Sequence, residues 1–330
     1  MTLAAAPQAP AHRIDAVSVT LAADPARWSA GTLGALATAG LDPGGVARVI
    51  ATALAEDLAD GLDVTTTATV PADATAEAWF TPRRPGVLAG SGVALAVLDT
   101  VTAALSAPPV SLLQATADGQ PLVAGKPAIR VSGPLPALVT AERTALNLLC
   151  HLSGVATATR RWVDAVAGTS ARIRDTRKTM PGLRALEKYA VRCGGGTNHR
   201  MSLADAALIK DNHVAAAGSV TAAVQAVRAL RPDIPLEVEV DTLEQLLEAL
   251  DAGARLILLD NFTTEQTEAA VRLVRYRNLD VQLESSGGLS LDRAAEIAAT
   301  GVDFLAVGAL THSSPALDIG LDVQLGIGAD

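Results

Sequence analysis

The chain has 330 residues, 49% of them hydrophobic and 18% charged, enough for one large or two ordinary domains with a buried core. Its 35 acidic and 26 basic residues leave a net charge of −9, which argues against general nucleic-acid or anionic-membrane binding. Two cysteines, Cys150 and Cys193, are too few for a disulfide framework, no apolar run reaches bilayer length, and no basic n-region leads an apolar segment, so a reducing, cytoplasmic setting is expected.

Residues 1–37 are Ala-rich with scattered Pro and Gly and predict a flexible N-terminal extension with one short helix. From 41 to 60, LDPGGVARVIATALAEDLAD spaces its apolar residues as an amphipathic helix does. Between 64 and 131 the short runs TATV, AEAWF, GVLAG and AIRVSG read as strands broken by Gly, Pro and Asp, with one helix near 91–105. That mixture predicts an α+β domain with a small sheet over 38–150. Residues 136–167 predict one or two long helices that lead into a second domain, 151–313.

Beyond 167 the rhythm changes. ARIRDT (171–176), ALIKDN (207–212), LEVEVD (236–241), LILLDN (256–261), VQLESS (281–286) and DFLAVG (303–308) are each strand-like. Helical stretches lie between successive runs, among them 219–230, 242–252, 264–276 and 290–300. Thr242–Gln245 and Thr263–Gln266 have the spacing of capping boxes. Alternating β and α elements imply a parallel sheet covered by helices. Most of these strands turn polar at their C-terminal ends, at Asp175, Lys210, Glu239, Asp260 and Ser286. In an α/β fold of the β/α (TIM-like) barrel type those ends share one mouth. A doubly wound open sheet is the alternative, but no GxGxxG follows a strand, and the barrel is the expectation.

Charge is distributed unevenly. Only four of the 26 basic residues are lysines, and three of them fall between Arg172 and Asp211, where nine basic residues face four acidic ones. A solvated helix face would explain such a run. The concentration of scarce lysine points instead to an anionic ligand gripped by Arg177, Lys178, His199, Arg200 and Lys210. Inside it, RCGGGTNHR (192–200) offers three glycines whose amides could turn toward an anion, with a helix C-cap as the other reading. Glu239 and Asp260 end neighbouring predicted strands, and such a carboxylate pair opposite phosphate-binding groups suits Mg²⁺ held through its waters. Ser286, Gly287, Gly288 and Gly308 follow the last two strands, where barrels of this type often bind phosphate. GxSxG, a Walker A motif and metalloprotease histidine spacing are absent.

These stretches, with AERTALNLL (141–149), RDTRKTMPGLRALEKYAVRCGGGTNHR (174–200), DAALIKDNH (205–213), ILLDN, LESSGGLS and VGALTHS (307–313), resemble the quinolinate phosphoribosyltransferase family from about residue 45 onward. The resemblance implies an N-terminal open-faced α/β sandwich and an incomplete β/α barrel, with the C-terminal segment 314–330 packing back on the first domain. It implies that quinolinate and phosphoribosyl pyrophosphate give nicotinate mononucleotide, pyrophosphate and CO₂ for NAD biosynthesis. It implies a homodimer whose active site is shared between subunits, the partner contributing Arg143. Arg177, His199, Arg200 and Lys210 would then hold the two carboxylates of quinolinate. Lys178 would bridge substrate and phosphate, and Ser286, Gly287, Gly288, Gly308 and His312 would hold the phosphate end. Glu239 and Asp260 would hold Mg²⁺ and the ribose hydroxyls as positive charge grows at the anomeric carbon, with Lys178 completing the catalytic set. A relative acting on nicotinate, and a non-catalytic phosphosugar-binding protein, are the competing readings. The first needs fewer cations than this chain supplies, and the second has no use for the carboxylate pair.

Overall fold

The chain, as a computed structural model, is described over residues 22–59, 61–277 and 280–325, and these divide into two units at Gly154/Val155 and Pro315/Ala316. Among the described residues no helix is long and apolar enough to cross a membrane.

The first unit is built on strands β1 (Thr75–Pro82), β2 (Gly86–Val87), β3 (Ser111–Ala115), β4 (Pro121–Leu122) and β5 (Ile129–Pro134). β1 runs antiparallel between β5 and the last strand of the chain, Ile319–Leu325, and β3 extends the sheet beyond β5. Alternation along β1 buries Ala76, Ala78 and Phe80 on one face. Helix Pro43–Leu58 presents Val46, Ile50 and Leu54, one per turn, to the core. Helix Ser91–Ala104 is buried nearly throughout.

Two expectations are corrected in this unit. The expected short helix is Ala30–Ala39, led by a 3₁₀ turn at Pro25–Arg27, but it is packed on the core and not part of a flexible extension. Trp28 and Leu36 are buried, the Trp28 indole donates to Thr100 Oγ1 (3.0 Å), and the Ser29 amide donates to Asp99 (2.8 Å). Burying two large apolar side chains outweighs the weak local signal of an Ala-rich run. Residues 1–21 lie outside the described residues. TATV, read as a strand, lies across the end of helix Val64–Thr69, which starts because the Asp63 carboxylate accepts from the Thr66 amide (2.9 Å).

In the second unit, β6 (Arg172–Arg174), β7 (Ala207–Ile209), β8 (Leu236–Val240), β9 (Leu256–Asp260), β10 (Gln282–Ser286) and β11 (Phe304–Ala306) form one parallel sheet. Its order is β6-β11-β10-β9-β8-β7. From β7 to β11 neighbours in sequence pair, and the first strand, β6, pairs with the last, β11. That is the order of a barrel, with its one opening between β6 and β7, where Thr197 makes a single parallel bridge to Arg174. A doubly wound sheet would instead leave its first strand in the interior and reverse direction there. The fold is an incomplete β/α barrel.

Caps place the covering helices as the sequence predicts. Thr242 and Thr263 accept from the amides of Gln245 and Gln266 (3.2 Å each), and the Gln266 side chain returns the bond to Thr263. On β8, Leu236, Val238 and Val240 face the helices, so Glu237 and Glu239 share the inner face. The parallel register aligns them with Leu256 and Leu258 on β9 and with Gln282 and Glu284 on β10. Barrel interiors are usually filled with branched apolar side chains. This one carries charge below its rim.

Candidate active site

At the C-terminal ends of the barrel strands lies a cavity of about 420 Å³. Arg177, Lys178, His199, Arg200, Lys210, Glu239, Asp260 and Ser286 line it, together with Thr176, Leu208, Leu258, Glu284 and Ala306. The expected cations and the expected carboxylates therefore meet in one chamber. They also touch, since the Lys210 ammonium donates to the Glu239 carboxylate.

Local structure fixes the lysine that follows β6. Lys178 donates its amide to Thr176 Oγ1 (3.0 Å), and its carbonyl accepts from Thr311 Oγ1 (2.8 Å). Gly308 lies against it: a Cβ there would stand 2.9 Å from Lys178 Cδ and 3.5 Å from His312 Nε2. His312 is exposed, with Nδ1 2.6 Å from Ser313 Oγ. Gly287 (φ 87°) and Gly288 (φ 60°) are left-handed, and a Cβ on Gly287 would meet Asn261 Oδ1 at 2.2 Å. Only glycine lets the ends of β9 and β10 approach this closely. Arg143 is exposed on the part of helix Leu135–Ala165 that belongs to the first unit and is not among the residues lining this cavity.

Arg200 donates Nη1 to the Ala206 carbonyl (2.8 Å), and burial with Arg177 nearby lowers its basicity. Burial, then the neighbouring Asp241 charge, pushes the Asp260 carboxyl up, partly offset by Lys210 and Lys178. His199 departs from its expected part as a fixed cation. Its Nε2 lies 2.7 Å from Glu237 Oε2, while Nδ1 accepts the Arg200 amide at 2.7 Å. Both ring nitrogens are thus engaged within the protein.

At the floor of the cavity is a charged layer that the sequence alone does not single out. Arg174 donates to Glu284 Oε2 (2.7 Å), and the guanidiniums of Arg172 and Arg174 each lie 4.5 Å from the centre of the Phe304 ring. Burial and the adjacent Glu237 charge push the Glu284 carboxyl up to about 7. Glu237 Oε1 and Glu284 Oε1 are buried without a hydrogen-bond partner. Lys188, fully buried, donates to Asp175 and to the His199 carbonyl (2.9 Å), and Asp175 accepts from the His199 amide (2.8 Å) and from Asn198 (2.6 Å). Burial raises the Asp175 carboxyl and lowers the Lys188 ammonium, each offset by the other's charge. Strand periodicity was the available signal: Glu237 precedes Glu239 by two residues, and Glu284 precedes Ser286 by two.

The glycine triplet has another purpose than anion binding. Helix Arg184–Cys193 ends at Gly194, and Gly195 turns left-handed (φ 91°). The Gly195 amide donates to the Arg192 carbonyl (2.9 Å) and the Gly196 amide to the Val191 carbonyl (3.0 Å), the two bonds of a Schellman cap. The Gly194 amide bonds to the Ala190 carbonyl (3.0 Å). A Cβ on Gly194 would lie 2.5 Å from both the Ala156 carbonyl oxygen and Thr159 Cβ. All three amides are spent on the helix end, and the missing side chains permit close packing.

For a divalent ion, Glu239 and Asp260 offer hard oxygen donors on adjacent strands, neither fully buried, which suits Mg²⁺ keeping part of its water shell. His199, Glu237 and Glu284 place donor atoms within 4.8 Å of one another, but Arg174 and the His199–Glu237 hydrogen bond already occupy that set.

Comparison with known proteins adds three findings. Residues 155–322 match the family described as "Quinolinate phosphoribosyl transferase, C-terminal domain", and residues 63–153 match its N-terminal domain. The carboxylating nicotinate-nucleotide pyrophosphorylase of Mycobacterium leprae is 59% identical over 271 residues, covering 82% of this chain and 94% of that protein. The solved nicotinate-nucleotide pyrophosphorylase from Francisella tularensis superposes with a TM-score of 0.79 at 38% identity, covering 85% of this chain and 96% of that one.

Proposed function

This chain belongs to the quinolinate phosphoribosyltransferase family and transfers the phosphoribosyl group to quinolinate with loss of CO₂ in NAD biosynthesis, and from that premise we propose how its residues divide the work. The observation that carries the proposal is the single chamber in which Arg177, Lys178, Arg200 and Lys210 face Glu239 and Asp260.

Quinolinate is a planar dicarboxylate, and in this reading Arg177, Arg200 and Lys210 hold its two acids by charge-assisted hydrogen bonds. His199 contributes its ring edge at the same wall. Lys178, fixed by Thr176 and Thr311, bridges the substrate carboxylate and the phosphates of phosphoribosyl pyrophosphate. Ser286, Gly287, Gly288, Gly308 and His312 take the phosphate end. Glu239 and Asp260 bind the ribose hydroxyls and stabilise the positive charge that grows at the anomeric carbon as pyrophosphate leaves. The same two carboxylates would hold Mg²⁺, which when bound neutralises charge on the departing pyrophosphate. The ring nitrogen attacks the anomeric carbon, and the new C–N bond leaves that nitrogen positive. The electron pair released when the adjacent carboxylate departs as CO₂ is stabilised by this charge, and a proton from solvent completes the product. Catalysis is then positioning and electrostatics, without a covalent enzyme intermediate.

The enzyme is proposed to act as a homodimer in the cytoplasm, each cavity completed by Arg143 of the partner subunit. Its exposure on the first unit leaves Arg143 available for this, and neither Cys150 nor Cys193 forms a disulfide. Incubation with quinolinate, phosphoribosyl pyrophosphate and Mg²⁺ should release CO₂ and nicotinate mononucleotide in equal amounts. A folded protein that yields neither refutes the assignment.

A further inference from the structure

We infer that Glu237 is a positioning residue: it orients the His199 ring so that this ring holds the backbone of Arg200 at the cavity wall. The inference rests on the reading of Arg200 as a ligand for a quinolinate carboxylate.

A ring nitrogen that accepts a hydrogen bond carries no proton. Nδ1 of His199 accepts the Arg200 amide at 2.7 Å, so the proton sits on Nε2 and is donated to Glu237 Oε2, also at 2.7 Å. The backbone of His199 has little freedom of its own, because Asp175 accepts its amide and Lys188 donates to its carbonyl. What remains is the orientation of the ring, and Glu237 sets it. The Arg200 fork is anchored at its other side by the Ala206 carbonyl (2.8 Å). Between these two anchors the guanidinium is presented to the cavity with its conformational cost already met.

Glu237 is a poor choice for stability alone. It is 3% exposed, it lies against the Glu284 carboxyl, and its Oε1 has no partner. A buried carboxylate with an unpartnered oxygen costs folding free energy, which an apolar residue would avoid. A role in ordering the substrate wall accounts for its presence.

The test combines kinetics of two variants with spectroscopy of the unaltered enzyme. Glu237→Leu removes the acceptor and should raise KM for quinolinate about 10- to 100-fold, the scale of a misplaced contact, while KM for phosphoribosyl pyrophosphate stays nearly constant. Glu237→Gln keeps a carbonyl acceptor and should restore most of the quinolinate affinity. In ¹⁵N-histidine-labelled wild-type protein without ligands, His199 should carry its proton on Nε2. Equal losses toward both substrates, or wild-type kinetics in Glu237→Leu, would overturn the inference. So would a proton on Nδ1, whether or not the leucine variant folds. Absence of turnover in the wild type would instead refute the functional reading while leaving the tautomer measurement to stand.

Discussion

Of the nine basic residues between Arg172 and Asp211, four line the cavity and five do structural work. Arg172 and Arg174 pack on the Phe304 ring, Lys188 is sealed in the core, Arg184 braces a loop by bonding Thr179 and the Met201 carbonyl, and Arg192 bonds Asn198. Sequence shows that charge is concentrated there but not which side chains point inward, because Lys178 and Lys188 differ only in the element that carries them. Arg177→Ala and Lys210→Ala should each cost about 1.5–3 kcal/mol in kcat/KM for quinolinate, the worth of a charge-assisted hydrogen bond. Near-normal turnover in both variants would remove the cations from the site. Glu284 makes a prediction about pH. Its carboxyl titrates near 7 in the folded protein against an ordinary 4.5, so between those values the native state holds a proton that the unfolded chain has released. The stability this provides is complete below about 4.5 and is lost as pH rises through about 7. In Glu284→Gln that loss is absent. Melting curves from pH 5 to 8 should show the variant's stability rising relative to wild type, and parallel curves would contradict the shift.

Most elements were legible because their signals are local. Short apolar runs, most of them ending in polar residues, mark the six barrel strands, and Thr242 and Thr263 mark helix starts. Two kinds of information were not local. Helix Ala30–Ala39 has no strongly amphipathic pattern and is held through Trp28 and Leu36 by distant partners. The glycine triplet permits both a cap and an anion nest, and the amide bonds to Ala190, Val191 and Arg192 decide for the cap, while Ala156 and Thr159 leave no room for a side chain at Gly194. Gly194→Ala therefore tests packing. Its methyl would enter space already filled, costing about 1–3 kcal/mol. Urea denaturation should show that loss while KM for both substrates holds. An unchanged midpoint would mean that the loop yields freely. Gly287→Ala meets both a left-handed backbone and the Asn261 side chain, and should damage stability and substrate affinity together.

For the whole molecule, the shared active site is the proposal with the sharpest test. Arg143→Ala and Glu239→Ala would damage different contributors to each cavity. Each variant alone should be nearly inactive, yet a refolded equal mixture should regain about a quarter of wild-type activity, from the one intact cavity in each hybrid dimer. A mixture no better than its components would confine the site to one chain. The order of strands carries a last consequence. β1 gains its outer neighbour only from Ile319–Leu325, through seven paired residues. A ribosome releases β1 some 240 residues before that neighbour, estimated from the strand positions, and synthesis at roughly 5–20 residues per second makes the wait tens of seconds at most. The barrel can close while the first sheet still has a raw margin, so the unit made first is finished last. For that interval the nascent chain bears an unsatisfied strand flank, the kind of surface that invites chaperone capture or mispairing with a sister chain.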